Sequence, residues 1–122
     1  MKTIMIVDDS ELMRNTVKGT FHGVKIPTTI LEAGDGEDAM TVLMNNKVDL
    51  ILLDWNMPNL SGIDFLKKMK GIDRFKEIPV IMITSEASKL NVVEAVKAGV
   101  SAYVTKPINS SILFEKISQF LI

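Results

Sequence analysis

The stretch Leu50-Ile51-Leu52-Leu53-Asp54 decides the fold of this chain. Four apolar residues in a row predict a strand that is buried on both faces, which is typical of a parallel sheet covered by helices. The carboxylate that follows is expected where such sheets carry their functional groups, beyond the carboxyl ends of the strands. Asp54 is therefore the first candidate functional residue.

Three other apolar runs also end in polar residues that can carry chemistry. They are residues 4–7 followed by Asp8-Asp9, residues 79–83 followed by Thr84-Ser85, and residues 102–105 followed by Lys106-Pro107. Taken singly, each of these residues is an ordinary helix cap, turn or surface residue. Independent caps have no reason to fall at the same end of four strands. The pattern therefore predicts three carboxylates, a hydroxyl and an ammonium group at one edge of the sheet.

Strand-like and helix-like segments alternate five times along the chain. The predicted strands are residues 3–7, 28–31, 50–53, 80–83 and 102–105. The predicted helices are residues 10–20 with Ser10 as N-cap, the segment between the Gly34-Asp35-Gly36 turn and Asn45-Asn46, residues 63–71, residues 88–98 ended by Gly99, and the segment from Asn109 or Ser110 to the terminus. Alternating β and α segments predict an α/β fold, a doubly wound five-stranded parallel sheet with five helices on its two faces. Periodicity alone leaves the strand order open.

Length and composition predict one ordinary globular domain spanning residues 1–122, with no output domain. The 122 residues carry a net charge of −1, so nothing in the overall charge favours nucleic acid or a membrane surface as a partner. The absence of cysteine excludes disulfides and thiol catalysis. The apolar runs are too short to span a membrane, and the first strand leaves no room for a signal peptide. We therefore expect a cytoplasmic monomer.

The predicted cluster favours phosphoryl chemistry that depends on a metal ion. Asp8, Asp9 and Asp54 would repel one another, which is expected to raise the pKa of at least one carboxyl unless a cation joins them. Mg²⁺ suits such oxygen ligands. A carboxylate beside Mg²⁺ can act as a nucleophile and form an aspartyl phosphate. Lys106 could stabilise the transferred charge, and Thr84 could donate a hydrogen bond to a phosphoryl oxygen.

Two other classes of protein use related chemistry or the same fold class. A dehalogenase-type phosphatase also forms an aspartyl phosphate, but it needs a second acid two residues after the nucleophile, where this chain has Asn56. A flavodoxin needs a hydroxyl-rich and glycine-rich phosphate loop after the first strand. The acids Asp8, Asp9 and Glu11 would repel the flavin phosphate there. Neither class fits.

The combined motifs resemble the receiver domain of two-component response regulators across the whole chain. They are Asp8-Asp9-Ser10, Asp54 with Met57-Pro58 and Gly62, Thr84-Ser85, and Lys106-Pro107. Met13-Arg14 and the stretch from Asp54 to Asn59 are most similar to the single-domain chemotaxis regulators of that family. The resemblance implies a flavodoxin-like strand order of 2-1-3-4-5. It also implies a signalling protein that catalyses only its own phosphoryl transfer and autodephosphorylation.

The resemblance also implies a role for each acid. Asp54 would be the phospho-acceptor, which takes a phosphoryl group from a phosphohistidine of a histidine kinase of the chemotaxis type. Asp9 would bind Mg²⁺ directly, and Asp8 would bind it through water. Asn56 would offer its main-chain carbonyl to the same ion.

Further positions match the switch of the family. Lys106 would contact the phosphoryl group, and its bond to Pro107 is commonly cis. Thr84 would move toward the phosphoryl group, and Tyr103 would turn inward behind it. Asn56 and Glu86 would border the phosphoryl group and give it a short lifetime.

The output is expected from the surface of the fourth helix, the fifth strand and the fifth helix. The leading partner is a flagellar motor switch protein, with a phosphatase as a further partner. The alternative is a phosphorelay intermediate or a stand-alone receiver with a non-flagellar output. The sequence of this face reads as an ordinary solvated surface, so it does not separate these outputs.

Overall fold

The computed structural model describes residues 1–86 and 88–121, in which five strands alternate with five helices. The strands are β1 (Lys2–Val7), β2 (Thr28–Ala33), β3 (Leu50–Leu53), β4 (Val80–Thr84) and β5 (Ala102–Thr105). The helices are α1 (Glu11–Thr20), α2 (Gly36–Asn45), α3 (Gly62–Lys70), α4 (Lys89–Ala98) and α5 (Ser110–Leu121), with a 3₁₀ turn at Phe21–Gly23 after α1.

All five strands are parallel and lie in the order β2-β1-β3-β4-β5, which confirms the fold class and the strand order. Val7 at the end of β1 pairs with Leu53 at the end of β3. The residues that follow these strands therefore emerge side by side. On the other side of β3 lie β4 and β5, and Thr84 at the end of β4 pairs with Thr105 at the end of β5. Lys106, which follows β5, therefore lies at the same edge of the sheet.

Side chains from the two faces of the sheet form two separate cores. Alternate residues of β1 show the division, since Met5 belongs to the core under α2, α3 and α4, whereas Ile4 belongs to the core under α1 and α5. All four residues of β3 are buried, as the run of four apolar residues predicts. A sheet covered on both faces can support functional groups only at its edges and strand ends.

Polar caps start the helices where the sequence permits. Ser10 accepts a hydrogen bond from the Met13 N–H at the start of α1, as predicted, and Ser88 does the same for the Asn91 N–H at the start of α4. Gly99 ends α4 in the left-handed conformation with φ of 103°, which confirms its predicted role.

β2 is longer than the predicted strand, because it continues past Leu31 to Ala33. Charged Glu32 makes this part of the strand look like a loop in the sequence. In the structure Glu32 pairs with Ile6 of β1, and its carboxylate forms ion pairs with Arg14 and Lys18 of α1. β2 pairs with β1 along its whole length, and the two cations neutralise Glu32. Glu32 can therefore remain in this edge strand.

No helix within the described ranges combines the length and the apolar character required to cross a membrane.

Candidate functional site

The three acids predicted to meet do lie together at the carboxyl edge of the sheet. Carboxylate oxygens of Asp8, Asp9 and Asp54 all lie within 4.8 Å of one another. Asp8 and Asp54 are buried, with 6% and 7% of their surface exposed, whereas Asp9 faces solvent. The cluster is therefore anchored in the sheet and open on one side.

Lys106 supplies the positive charge of the cluster. Its Nζ lies 3.0 Å from Asp8 Oδ2 and 3.5 Å from Asp54 Oδ2. The backbone N–H of Lys106 donates to the Thr84 carbonyl at 2.9 Å, which places the residue just beyond β5. The peptide bond between Lys106 and Pro107 is cis, as the resemblance implies.

One ammonium group does not balance three carboxylates. Burial raises the pKa of the Asp54 carboxyl above its ordinary value, and the charge of Asp8 acts in the same direction. Lys106 and the Trp55 N–H, which donates to Asp54 Oδ1 at 2.8 Å, lower that pKa in part. The remaining negative charge favours a bound cation, and an all-oxygen set of acids is the donor type that suits Mg²⁺.

Thr84 and Tyr103 both contact the backbone of Glu86. Thr84 is fully buried, and its hydroxyl accepts a hydrogen bond from the Glu86 N–H at 3.1 Å. The Tyr103 hydroxyl donates to the Glu86 carbonyl, and its ring packs against the core under α2, α3 and α4. The two residues predicted to form a switch are therefore linked through one residue between β4 and α4.

The side chain of Glu86 connects the loop after β3 with α4. Asn56 Nδ2 donates to Glu86 Oε1 at 2.8 Å, which brings together the two residues predicted to border the phosphoryl group. Asn91 Nδ2 donates to Glu86 Oε2 at 3.0 Å. Sequence reasoning did not find Asn91, because a residue in the first turn of a helix carries no signal for its side-chain partner.

Tight backbone contacts support the loop that follows Asp54. The Gly62 N–H donates to the Trp55 carbonyl at 2.7 Å, and a Cβ on Gly62 would collide with the Asp54 carbonyl oxygen. Asn59 has a positive φ of 67°, and its Nδ2 donates to Asp35 Oδ2 at 2.7 Å. Sequence reasoning quoted Gly62 as part of a motif but missed the role of Asn59.

Comparison with known proteins gives the class to which this fold and site belong. The model of the response regulator receiver domain matches residues 4–118. The chain belongs to the response regulator receiver domain family. A CheY-like receiver domain is a signalling module rather than a conventional enzyme, and the buried acids and Lys106 fit a switch that depends on phosphorylation.

Two similar proteins within this family are chemotaxis proteins. The chain is 40% identical over 116 residues to chemotaxis protein CheY of Pseudomonas aeruginosa, a match that covers 95% of this chain and 93% of the relative. It is 41% identical over 119 residues to chemotaxis protein CheY1 of Helicobacter pylori, a match that covers 97% and 95% of the two chains.

Solved structures show the same architecture. Vibrio cholerae chemotaxis protein CheY4 superposes with a TM-score of 0.89 at 28% identity, covering 99% of each chain. The Mn²⁺-bound form of response regulator Rcp1 superposes with a TM-score of 0.85 at 28% identity, covering 98% of this chain and 91% of that one.

Proposed function

We propose that this chain is a switch in which Asp54 accepts a phosphoryl group from a phosphohistidine of a histidine kinase. The observation that carries the proposal is a buried Asp54 carboxylate that has two further acids and the Lys106 ammonium group beside it. In the transfer, an Asp54 oxygen forms a bond to phosphorus while the phosphorus–nitrogen bond of the donor breaks. The bonding pair leaves with the imidazole nitrogen, and Lys106 stabilises the charge of the phosphoryl group.

The metal site in this proposal consists of Asp8, Asp9, Asp54 and the main-chain carbonyl of Asn56. Bound Mg²⁺ would supply positive charge for the phosphoryl oxygens, which the single ammonium group cannot provide alone. Asp9, the exposed member, would bind it directly, and Asp8 would bind it through water. Asp8 Oδ1 already accepts the Ser10 N–H at 2.9 Å and Oδ2 accepts Lys106 Nζ, which favours the indirect role for Asp8.

Phosphorylation would act on the rest of the molecule through Thr84. Its hydroxyl can turn from the Glu86 N–H to donate to a phosphoryl oxygen at Asp54. Glu86 would then lose a contact next to the carbonyl that binds the Tyr103 hydroxyl. A change at Tyr103 and at the start of α4 would alter the surface formed by α4, β5 and α5.

This surface is more apolar than the sequence suggested. Leu90 and Val96 on α4 are 82% and 61% exposed, and Val93 on the same helix and Ile112 on α5 are also exposed. Helix periodicity does not show which apolar residues of this face point away from the core. These exposed aliphatic side chains support the proposal that a partner protein binds here. Since the relatives are chemotaxis proteins, a flagellar motor switch protein is the proposed target.

The phospho-acceptor role is tested by the fluorescence of Trp55, which is half-buried next to Asp54. We expect one change when Mg²⁺ is added and a second change when acetyl phosphate is added. Asp54→Ala should abolish the second change and retain much of the first. A second change that survives this substitution would remove Asp54 from its proposed role.

The output is tested by capture of purified motor switch protein, with and without a phosphate mimic on the chain. Leu90→Asp should weaken capture in the presence of the mimic. Leu12→Asp on α1, where the leucine is 75% exposed, is the matched control and should leave capture unchanged. Equal capture with and without the mimic would contradict a phosphorylation-dependent switch, and no capture in either state would argue for a phosphorelay intermediate or a non-flagellar output.

A further inference from the structure

The main chain of Asp8 is held by β2 on one side and by α1 on the other. Its N–H donates to the Ala33 carbonyl at 3.1 Å, and its carbonyl accepts a hydrogen bond from Arg14 Nη1 at 2.6 Å. Glu32, which precedes Ala33 on β2, accepts a hydrogen bond from Arg14 Nε at 3.0 Å. Arg14 on α1 therefore bridges the end of β2 and the peptide group that joins Asp8 to Asp9.

This contact constrains the backbone from which the Asp9 side chain starts. The peptide group is planar, so a fixed Asp8 carbonyl fixes the plane from which the Asp9 Cα continues. The Asp8 carboxylate has two partners of its own, the Ser10 N–H and Lys106 Nζ. The Asp9 carboxylate makes no side-chain hydrogen bond within residues 1–86 and 88–121. Its position therefore depends on the backbone.

We infer that Arg14 is a positioning residue for the metal site, which holds Asp9 where its carboxylate can bind a divalent cation. The inference rests on the Mg²⁺ site of the proposed function. Arg14 itself does not touch the cation, because its guanidinium group is occupied by the Asp8 carbonyl and the Glu32 carboxylate. Groups that orient metal ligands in this way typically change metal affinity by roughly 10–100-fold when they are removed.

The sign of the effect separates positioning from simple electrostatics. A guanidinium group near the acids repels Mg²⁺, so loss of its charge alone would tighten binding. Loss of positioning would weaken binding. Lys18 is the matched control, because its Nζ also pairs with Glu32 at 3.0 Å from the same helix but donates to Glu32 rather than to the Asp8 carbonyl.

The experiment is a titration of the full chain with Mg²⁺ alone, followed by Trp55 fluorescence and by calorimetry. Arg14→Met should raise the Kd for Mg²⁺ by roughly tenfold. Lys18→Met should leave the Kd unchanged or lower it slightly. Arg14→Lys should also raise the Kd, because an ammonium group lacks the planar fork that reaches Glu32 and the Asp8 carbonyl together. This variant keeps the charge and tests the inference even if Arg14→Met does not fold.

Two outcomes would overturn the inference while the proposed function stands. One is wild-type affinity in either Arg14 variant when the wild-type chain binds Mg²⁺. The other is a loss of Mg²⁺ affinity in Lys18→Met as large as that in Arg14→Met. That result would assign the effect to the ion pairs with Glu32 and not to the contact with the Asp8 carbonyl. A wild-type chain that takes up no Mg²⁺ would instead refute the metal site, and this inference with it.

Discussion

At the scale of single residues, the ionised carboxylate of Asp54 lowers the free energy of unfolding, because it is buried. Because its pKa is raised in the folded state, the folded chain binds this proton more tightly than the unfolded chain does. The contribution of Asp54 to stability is therefore fully present below its unfolded pKa and is lost as the pH rises through the folded pKa.

We predict that Asp54→Asn raises the free energy of unfolding at pH 7 in the absence of Mg²⁺. The substitution removes the buried charge, while Lys106 keeps its contact with Asp8. Urea unfolding between pH 3.5 and pH 7 should show a difference from the wild type that grows with pH. A variant less stable than the wild type at pH 7 would contradict this.

Glu32 provides a control of opposite sign. Lys18 first, and then Arg14, hold the pKa of the Glu32 carboxyl below its ordinary value despite the opposing effect of burial. Its stabilisation is present above the unfolded pKa and is lost as the pH falls through the folded pKa. Glu32→Gln should therefore destabilise the chain at pH 7, with a smaller effect in acid.

The pair Asn56 and Glu86 gives a second prediction at this scale. Asn56→Arg or Glu86→Lys should slow the decay of the phosphorylated chain, because a long cationic side chain beside the phosphoryl group hinders water and stabilises the charge. A tenfold effect corresponds to about 1.4 kcal/mol in activation free energy. Decay is measured after removal of acetyl phosphate, with Glu115→Lys on the exposed side of α5 as the control. An unchanged rate in both variants would count against the proposed role.

At the scale of elements, the loop between β3 and α3 depends on close contact between the backbone at Gly62 and the backbone at Asp54 and Trp55. A Cβ on Gly62 would collide with the Asp54 carbonyl oxygen and would lie 3.0 Å from the Trp55 Cα. These are backbone atoms, so they cannot swing away as a flexible side chain would.

We predict that Gly62→Ala destabilises the chain by about 1–3 kcal/mol, the usual range for overpacked sites. Gly19→Ala is the matched control, since Gly19 lies in α1 with no neighbouring atom within 4 Å of a new Cβ. That substitution should stabilise the helix by about 0.5–1 kcal/mol, because alanine loses less backbone entropy than glycine does. Denaturant midpoints measure both changes, and equal effects of the two variants would refute the role of the loop contact.

Element boundaries show where sequence patterns were sufficient. β3 was predicted with its observed bounds, because four apolar residues bounded by Asp49 and Asp54 have the length of a buried strand and are too short for a helix. The end of β2 was wrong by two residues, because Glu32 is made compatible with a strand by Arg14 and Lys18 from a distant helix. Charges that are neutralised by tertiary contacts cannot be recognised from local pattern.

At the scale of the whole molecule, the proposed Mg²⁺ site would couple metal binding to folding. A ligand that binds only the folded state stabilises it by about 2.7 kcal/mol at 100 times its Kd. We predict a stabilisation of this size for the wild type in Mg²⁺ and its loss in Asp9→Asn or after chelation. Asp73→Asn, which changes an acid whose side chain is 98% exposed, should retain it. Thermal unfolding with and without Mg²⁺ measures the difference, and a full Mg²⁺ response in Asp9→Asn would exclude Asp9 as a ligand.

The sequence by itself determined the α/β class and the edge at which the polar groups gather, because apolar runs followed by polar residues have one physical interpretation in a parallel sheet. The motifs at these strand ends were enough to predict that Asp8, Asp9, Asp54, Thr84 and Lys106 would lie together. Only the tertiary structure decided how Arg14 reaches the Asp8 carbonyl, how Asn91 reaches Glu86 and how Asn59 reaches Asp35. Asn59 and Asp35 lie on segments that meet only when the sheet and its helices are packed. The other two contacts span only 6 and 5 residues, but they depend on the angle at which each helix leaves its strand, which no residue pattern records.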